Sequence, residues 1–229
     1  DVRDFDFLRL LFNEYEFDTV FHLGALSEVK KCQPDPKLAF DVNVGGTVNV
    51  LEACRLYGKV KAVIVSSSDK AYGSGKVPYV EGQALNGVGT YEASKSATDL
   101  IARSFYSNYG VPVVVTRCSN LYGGGDMREF LYIEDAVDAY LSLVKNIDKT
   151  KGEAFNIGSS EVISIGELLN IMLDEMDSNL DINLVEKDFP EISHQYLDST
   201  KIKDITGWKP KTTLKNGLKK SIKNYKEIL

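Results

Sequence analysis

The chain has 229 residues, 43% of them hydrophobic, which is enough to bury a substantial core and excludes a disordered protein. Its formal net charge of −6, from 27 basic and 33 acidic residues, provides no basic field for nucleic acid or an anionic membrane surface. We therefore expect a globular protein that binds neither nucleic acid nor a membrane.

The three cysteines, Cys32, Cys54 and Cys118, lack the spacing of disulfide frameworks or zinc sites, so we expect no metal and a reducing, cytoplasmic compartment. No apolar run approaches the roughly 20 residues that span a bilayer. The acidic opening DVRDFDF is not that of a signal peptide. Because the chain begins at Asp1, three explanations are open: a fragment, a processed form, or the ordered part of a longer protein, which we favour.

Three short β-branched runs predict strands that are buried on both faces: Thr19–Leu23, Ala62–Ser66 and Val113–Thr116. Apolar residues at helical spacing lie between them, over Leu38–Tyr57 and Tyr91–Tyr109, and each helical pattern stops at a glycine. Alternating strands and helices imply right-handed crossovers and a parallel sheet. The expected fold class is α/β, with a Rossmann-like doubly wound sheet.

The last third of the chain predicts a smaller α/β lobe. After a strand at Ala154–Ile157, the pattern indicates a helix at Ile165–Met176, a strand near Ile182–Val185 and a Lys-rich helix at Leu214–Ile228. We place the sheet domain at residues 1–158 and a substrate-binding domain at 159–229.

The segment LYGGGDMREFLYIEDAV passes from a glycine-rich loop directly to a capped helix. A doubly wound fold normally places a helix between two strands at such a point. We therefore expect residues to be missing between Asp126 and Met127.

Two polar segments carry candidate chemistry. Tyr91 and Lys95 are four residues apart on a predicted helix, so they share one face, and a nearby ammonium favours the phenolate form of a tyrosine. Taken alone, this spacing is more typical of two surface residues that have no catalytic function. The second segment, SSSDKAYG, follows the strand Ala62–Ser66, at the sheet edge where open α/β folds bind ligands. There Ser67 or Ser68 can bond a sugar hydroxyl, and Asp69 and Lys70 offer an acid and a base.

Eight motifs in order resemble the extended short-chain dehydrogenase/reductase family, whose members include NAD-dependent nucleotide-sugar epimerases and dehydratases. They are FHLGA, DVNVGGTVNVLEA, SSSDKAYG, YEASK, RCSNLYG, REFLYIEDAVDAY, FNIGS and GWKP, and they span nearly the whole chain. The resemblance implies a Rossmann domain with a small carboxyl-terminal substrate domain, a bound NAD and a nucleotide-diphosphate sugar as substrate.

The resemblance also implies residue roles. Tyr91 takes the proton of the sugar 4-hydroxyl while hydride leaves C4. Lys95 holds the cofactor ribose and lowers the pKa of Tyr91. The third catalytic residue beside Tyr91 and Lys95 is Ser68, with Ser67 as the alternative. The cofactor-binding positions carried over from the family are Asp1, Val2, Leu23, Gly24, Ala25, Asn43, Ser66, Tyr91, Lys95 and Cys118.

Two residues decide the reaction class in this resemblance. The 4,6-dehydratases carry an acid and a base directly after the serine or threonine, whereas the 4-epimerases generally do not, and this chain has Asp69 and Lys70. Together with EISHQYLD, this is most similar to CDP-glucose 4,6-dehydratases. The alternatives are a nucleotide-sugar 4-epimerase and a non-catalytic NAD-binding scaffold.

For the substrate diphosphate we name Arg128 and Asn120, because a guanidinium fork suits phosphate oxygens and an asparagine can orient them. Arg117 and His22 each fit a structural role at least as well as a functional one.

The chain departs from the family in lacking the GxxGxxG turn on which the pyrophosphate would rest, so the first βαβ unit is absent from the sequence. The family also predicts a homodimer formed through two long helices, which correspond to Leu38–Tyr57 and Tyr91–Tyr109.

Overall fold

The computed structural model describes residues 1–119, 127–182 and 194–228. The strands are β1 (Thr19–His22), β2 (Ala62–Ser66), β3 (Val113–Cys118), β4 (Met127–Glu129), β5 (Ala154–Ile157), β6 (Val162–Ser164) and β7 (His194–Gln195). The helices are α1 (Phe5–Tyr15), α2 (Val29–Cys32), α3 (Pro36–Phe40), α4 (Gly46–Tyr57), α5 (Thr90–Tyr109), α6 (Ile133–Lys145), α7 (Ile147–Thr150), α8 (Ile165–Met176), α9 (Thr200–Thr206) and α10 (Leu214–Ile228).

The main sheet is parallel, with the strand order β1-β2-β3-β5. Alternate residues of its central strands enter different cores: Val63 and Val113 pack with α4 and α5, while Ile64 and Val114 pack with α6 and α9. Each fully buried side chain of this size contributes on the order of 1.5–3 kcal/mol. The Rossmann-like α/β prediction is confirmed, because helices cover both faces of a parallel sheet.

β1 differs from its prediction. We expected a strand buried on both faces, but Phe21 is 41% exposed because β1 is an edge strand of the described sheet. The strand also ends one residue early, at His22, whereas β3 continues two residues further than predicted, to Cys118.

The two long predicted helices are present. The first begins two residues early, at Pro36, and contains a π-helical turn at Asp41–Gly45 between α3 and α4. Its end is set by Gly58, whose φ of 72° suits glycine, and α5 ends in the same way at Gly110 with φ 71°.

A second, small sheet has the order β6-β4-β7, with β4 antiparallel to β6 and parallel to β7. It packs against α8 and α10 through a core of Phe130, Leu168, Leu214 and Leu218. α8 and α10 have the predicted bounds. Ile182 is not in a strand, and the rest of the strand predicted near Ile182–Val185 lies outside the described residues.

The predicted domain boundary at 158/159 stays a prediction. β4 belongs to the small sheet although it precedes β5 of the main sheet, so the chain crosses between the two sheets more than once. The prediction that residues are missing between Asp126 and Met127 concerns a segment next to residues that the structure does not describe, so it also stays a prediction. Within the described ranges, no helix has the length and apolar character needed to cross a membrane.

Candidate active site

The polar turn after β2 lies at the carboxyl edge of the main sheet. Ser68 begins a 3-10 turn at Asp69–Tyr72, and its Oγ accepts a hydrogen bond from the Lys70 backbone N–H at 3.2 Å. The same hydroxyl donates to Oδ1 of Asp69 at 3.1 Å. This local capping explains why a Ser-Asp sequence turns sharply at the end of a buried strand.

The first turns of α5 pack against this edge. The Lys95 ammonium donates to the Ser66 carbonyl at 2.7 Å, and the Ser67 hydroxyl donates to the Lys95 carbonyl at 3.1 Å. The Tyr91 phenol lies near enough to the Ser68 hydroxyl for that hydroxyl to act on its pKa. The structure thus brings together Ser66, Ser67, Ser68, Tyr91 and Lys95, which come from two separate motifs of the sequence.

Asp69 is the most unusual carboxyl of this cluster. It is 1% exposed, and burial raises its pKa to about 6, although Lys70, Ser68 and Arg128 each favour the charged form. Its Oδ2 is buried and has no hydrogen-bond partner in the described part of the chain. A carboxyl with this pKa can hold a proton near neutral pH, and its free oxygen can transfer that proton to a ligand.

The phenol of Tyr91 differs from the sequence-based expectation. We expected Lys95 to lower its pKa, whereas burial of a side chain that is 8% exposed raises the pKa to about 12. Lys95 is itself 5% exposed, and burial lowers the pKa of its ammonium to about 8. In this structure the Lys95 ammonium is hydrogen bonded to the Ser66 carbonyl. Loss of hydration on burial is therefore the largest influence on the pKa of the Tyr91 phenol.

Asn43 connects the loop after β1 to α5. Its Oδ1 accepts the Leu26 backbone N–H at 2.7 Å, and its Nδ2 donates to the Leu26 carbonyl and to the Ser94 hydroxyl, at 3.1 and 2.9 Å. Both N–H groups and the oxygen of the amide thus have partners, so Asn43 acts here as a structural residue that fixes the loop containing Leu23, Gly24 and Ala25.

Val2 lies against the same region. A Cβ on Gly46 would meet Val2 Cγ2 at 2.5 Å, and one on Gly24 would meet Val2 Cγ1 at 3.2 Å, so both glycines permit this close approach. The amide of Asn49 holds the Val2 carbonyl at 3.1 Å. The Asp1-Val2 segment is therefore held beside the loop after β1, and its contact with the cofactor stays a prediction.

Arg117 and His22 have structural partners. The guanidinium of Arg117 makes a buried, two-pronged ion pair with Asp99, with N···O distances of 2.7 and 3.0 Å. His22 Nε2 lies 3.0 Å from the Thr47 hydroxyl, and burial lowers the pKa of its imidazole to about 4, so the ring is neutral.

The remaining candidates lie nearby or outside the description. Arg128 is fully buried on β4 and influences the pKa of Asp69 and of Tyr79. Cys118 ends β3, with its Sγ 3.2 Å from the Tyr140 hydroxyl, and burial raises its thiol pKa to about 11. Asn120 lies outside the described residues, so its role stays a prediction.

Sequence reasoning missed a polar network behind the turn Asp69–Tyr72. The Tyr72 hydroxyl donates to Oδ1 of Asn156 at 2.7 Å and accepts from Arg117 at 2.8 Å. The Asn156 amide in turn donates to the carbonyls of Tyr79 and Asp198, at 2.9 and 3.2 Å. These residues are far apart in the chain, so no local pattern could have indicated the network.

Two open clefts border these elements. One of about 260 Å³ lies beside Tyr91 and the start of α5. A larger one of about 460 Å³ lies near Pro78 and Trp208, away from Tyr91. Among the residues that the structure describes, no group of three or more His, Cys, Asp or Glu could hold a metal ion.

Comparison with known proteins gives a consistent family. The family model described as GDP-mannose 4,6 dehydratase matches residues 1–126. The human dTDP-D-glucose 4,6-dehydratase is 30% identical over 262 residues, which cover 99% of this chain and 74% of that protein. A CDP-paratose 2-epimerase from Salmonella typhi is 27% identical and covers 96% of this chain and 81% of its own length.

The solved structures similar to this chain belong to the same group of proteins. The UDP-glucose 4-epimerase of Thermotoga maritima with UDP-glucose has a TM-score of 0.93 and 25% identity, covering all of this chain and 83% of that one. A dTDP-glucose 4,6-dehydratase double mutant from Streptomyces venezuelae, with NAD and DAU bound, has a TM-score of 0.87 and 25% identity, covering 99% and 78%. The chain therefore belongs to the GDP-mannose 4,6-dehydratase family, within the NAD-dependent nucleotide-sugar epimerases and dehydratases of the extended short-chain dehydrogenase/reductase group.

Proposed function

We propose that the chain is an NAD-dependent nucleotide-sugar 4,6-dehydratase that acts on a CDP-glucose-like substrate. The observation that carries this proposal is Asp69, a buried carboxyl with a raised pKa and a free Oδ2, held by Ser68 next to Tyr91. A 4-epimerase needs the tyrosine and lysine but has no leaving 6-hydroxyl to protonate. A positioned carboxylic acid is what the dehydration step requires.

The residues present fit a bound NAD. Among the hydrogen bonds of the described residues, the Lys95 ammonium makes one, to the Ser66 carbonyl, which leaves further N–H donors for ribose hydroxyls. The loop at Leu23–Ala25 and the Val2 segment lie at the same sheet edge. A bound NAD, held by Lys95 and the loop at Leu23–Ala25, would supply the hydride acceptor for oxidation at C4 and the hydride donor for reduction at C6.

The chain's own residues divide the proton transfers. Tyr91 accepts the proton of the 4-hydroxyl. Burial disfavours its phenolate in the unliganded chain, so the reaction requires the ammonium of Lys95, one helical turn away, to supply a stabilising positive charge once substrate is bound. Once C4 is a ketone, the C5 proton is acidic, and Lys70 or Tyr91 removes it. Asp69 protonates the departing 6-hydroxyl, so one water is lost and a 4-keto-5,6-ene remains. Hydride addition at C6 and return of the proton to C5 by the same base then give a 4-keto-6-deoxy sugar nucleotide.

The CDP-glucose-like substrate is supported by residue resemblance and by the CDP-paratose 2-epimerase among the relatives. Arg128, which is buried beside Asp69, is our candidate for binding the diphosphate. The 4-epimerase alternative is favoured by the close fit to the UDP-glucose 4-epimerase fold. A non-catalytic NAD-binding scaffold would require that Tyr91→Phe change no measurable activity.

The test is Asp69→Asn in the full chain, with NAD and CDP-glucose. We expect wild type to give a product lighter by one water in mass spectrometry. Asp69→Asn should lose at least roughly 100-fold in dehydration, because an amide cannot donate the proton, while NADH absorbance still shows oxidation at C4. The control is Asp181→Asn, at an exposed carboxylate that follows α8 in the chain.

Two other results would contradict the proposal. A product of unchanged mass, formed equally well by Asp69→Asn, would identify a 4-epimerase. Dehydration at the wild-type rate in Asp69→Asn would remove Asp69 from the mechanism.

We also propose that the chain forms a homodimer through α4 and α5. These helices pack against each other and present exposed apolar side chains, including Val48, Leu56, Leu100 and Tyr109. Exposed apolar residues grouped on neighbouring helices are typical of an interface between copies of a chain.

A further inference from the structure

Glu129, the last residue of β4, is a buried carboxyl that the proposed reaction does not use. Its exposed fraction is 0%, and its two oxygens accept backbone hydrogen bonds from two different segments. Oε1 accepts the Ser160 N–H, and Oε2 accepts the Leu197 N–H at 3.0 Å. One side chain therefore joins β4 to the loop after β5 and to the segment after β7.

The loop after β5 is shaped around this carboxylate. Ser160, whose N–H is bonded to Glu129, has a φ of 66°, in the left-handed region that residues with a Cβ rarely adopt. A Cβ at Gly158 would lie 2.6 Å from the carboxylate carbon of Glu129, so glycine leaves the room that the carboxylate occupies. A serine in a strained backbone and a glycine beside the same carboxylate indicate that its position is closely determined.

The Leu197 hydrogen bond connects Glu129 to the turn Asp69–Tyr72. Leu197 forms a parallel bridge with Tyr79 and packs in one cluster with Tyr79 and Tyr72. Tyr72 is the last residue of the turn, and its ring stacks on that of Tyr79 at 4.8 Å. Contacts from Glu129 therefore reach the end of the turn through a single residue, Leu197.

The charged groups that act on Glu129 and its neighbour belong to the proposed active site. Arg128 precedes Glu129 in β4, and its charge acts on the carboxyl of Asp69. The Asp69 charge acts in turn on Glu129, whose pKa is raised to about 7, chiefly by burial. The acid Asp69, the cation Arg128 and the carboxyl of Glu129 thus lie close enough together to influence one another.

We propose that Glu129 is a positioning residue that holds Asp69 in place relative to Arg128. The inference rests on the proposed dehydratase reaction, in which Arg128 binds the diphosphate and Asp69 protonates the 6-hydroxyl of the same substrate. Both contacts form at once only if the two side chains keep a fixed separation. Glu129 maintains that separation, because it follows Arg128 in one strand and is bonded to the segment that packs against the turn Asp69–Tyr72.

The test is Glu129→Gln in the full chain, with NAD and CDP-glucose. The amide keeps the shape of the side chain, but its NH₂ group cannot accept a hydrogen bond, so one of the two backbone contacts is lost. We expect kcat for dehydration to fall at least roughly tenfold, while the affinity for CDP-glucose is unchanged because Arg128 remains. NADH absorbance should build up during turnover, because oxidation at C4 continues while proton transfer from Asp69 is slowed.

A second variant, Gly158→Ala, displaces the carboxylate without removing it, because the added Cβ would occupy its place. The φ of Gly158 is not positive, so alanine is compatible with the backbone. We expect the same fall in kcat and the same build-up of NADH as in Glu129→Gln.

The matched control is Glu161→Gln. Glu161 is an exposed residue of the same part of the chain, and its Oε2 also accepts a backbone hydrogen bond, from the Leu214 N–H at the start of α10, at 2.8 Å. This contact does not involve the segment that packs against the turn. The variant should lower the Tm and leave kcat unchanged.

The outcomes distinguish positioning from a role in stability alone. A lower Tm with unchanged kcat, a loss of kcat without build-up of NADH, or failure of both Glu129→Gln and Gly158→Ala to fold would each overturn the inference. A wild type that dehydrates CDP-glucose, with full activity in Glu129→Gln, rejects the inference alone. A wild type that forms no dehydrated product rejects the proposed reaction and the inference with it.

Discussion

Asp69 shows how one residue connects function with stability. Its carboxyl is buried at the end of β2, and that burial is what raises its pKa to about 6. The same burial makes the ionised form costly, since a charge has been moved away from water. The property that suits Asp69 to acid catalysis should therefore reduce the stability of the free protein at neutral pH.

The pH dependence follows from the raised pKa. Below the ordinary value of 3.8, Asp69 is protonated in both the folded and unfolded states, so ionisation costs nothing. Between that value and about 6, the unfolded carboxyl ionises while the folded one stays protonated, so stability falls, by up to about 3 kcal/mol once the pH exceeds about 6. We expect Asp69→Asn, which never ionises, to be more stable than wild type at pH about 8 and to lose most of that advantage at pH about 4.

Denaturant unfolding at the two pH values measures this difference, and Asp181→Asn, an exposed carboxylate, is the control. An advantage of Asp69→Asn that is equal at both pH values would show that the effect is not due to ionisation.

At the scale of elements, the turn Asp69–Tyr72, which holds the proposed acid, depends on the network behind it. The 3-10 turn Asp69–Tyr72 ends in a tyrosine whose ring stacks on Tyr79 at 4.8 Å and whose hydroxyl joins Arg117 of β3 to Asn156 of β5. The turn that contains Asp69 and Lys70 is therefore held to two strands of the main sheet. Its geometry is set by hydrogen bonds rather than by the turn sequence alone.

Tyr72→Phe should test whether the network positions the turn Asp69–Tyr72, because it removes a hydroxyl of the network and leaves Asp69 and Lys70 unchanged. The ring stack remains, but the Asn156 oxygen and one Arg117 N–H lose their partner, which should cost about 1–3 kcal/mol of unfolding free energy. We expect kcat to fall while KM changes little, because the acid is displaced but the substrate contacts remain.

Steady-state kinetics and denaturant unfolding measure both effects, with Tyr225→Phe on the exposed face of α10 as the control. A stability loss with unchanged kcat would show that the network supports the fold without positioning Asp69.

At the scale of the whole molecule, the proposed dimer makes a direct prediction. Leu100 is 56% exposed on α5, and a charge at the centre of an apolar interface cannot be solvated there. We expect Leu100→Glu to convert the dimer to a monomer with a correctly folded core. Sedimentation velocity measures the change, and Leu141→Glu, at an exposed position of α6, should leave the dimer intact. A wild type that sediments as a monomer would reject the proposed interface.

The sequence by itself determined the features that depend on local chemistry. The central strands follow from uninterrupted β-branched runs, and the helix ends at Gly58 and Gly110 follow from the left-handed backbone that glycine tolerates. The grouping of Ser68, Tyr91 and Lys95 could be expected because each motif adjoins the carboxyl edge of the same sheet.

Only the tertiary structure decided the features that depend on distant residues. The pKa values of Asp69 and Tyr91 are set by burial, which no spacing in the sequence reveals. Arg117 pairs with Asp99, and Tyr72 bonds Asn156 at a separation of 84 residues. Periodicity and turn preferences act over a few residues, whereas desolvation and unpaired groups such as the Gln195 amide arise from how separate segments pack.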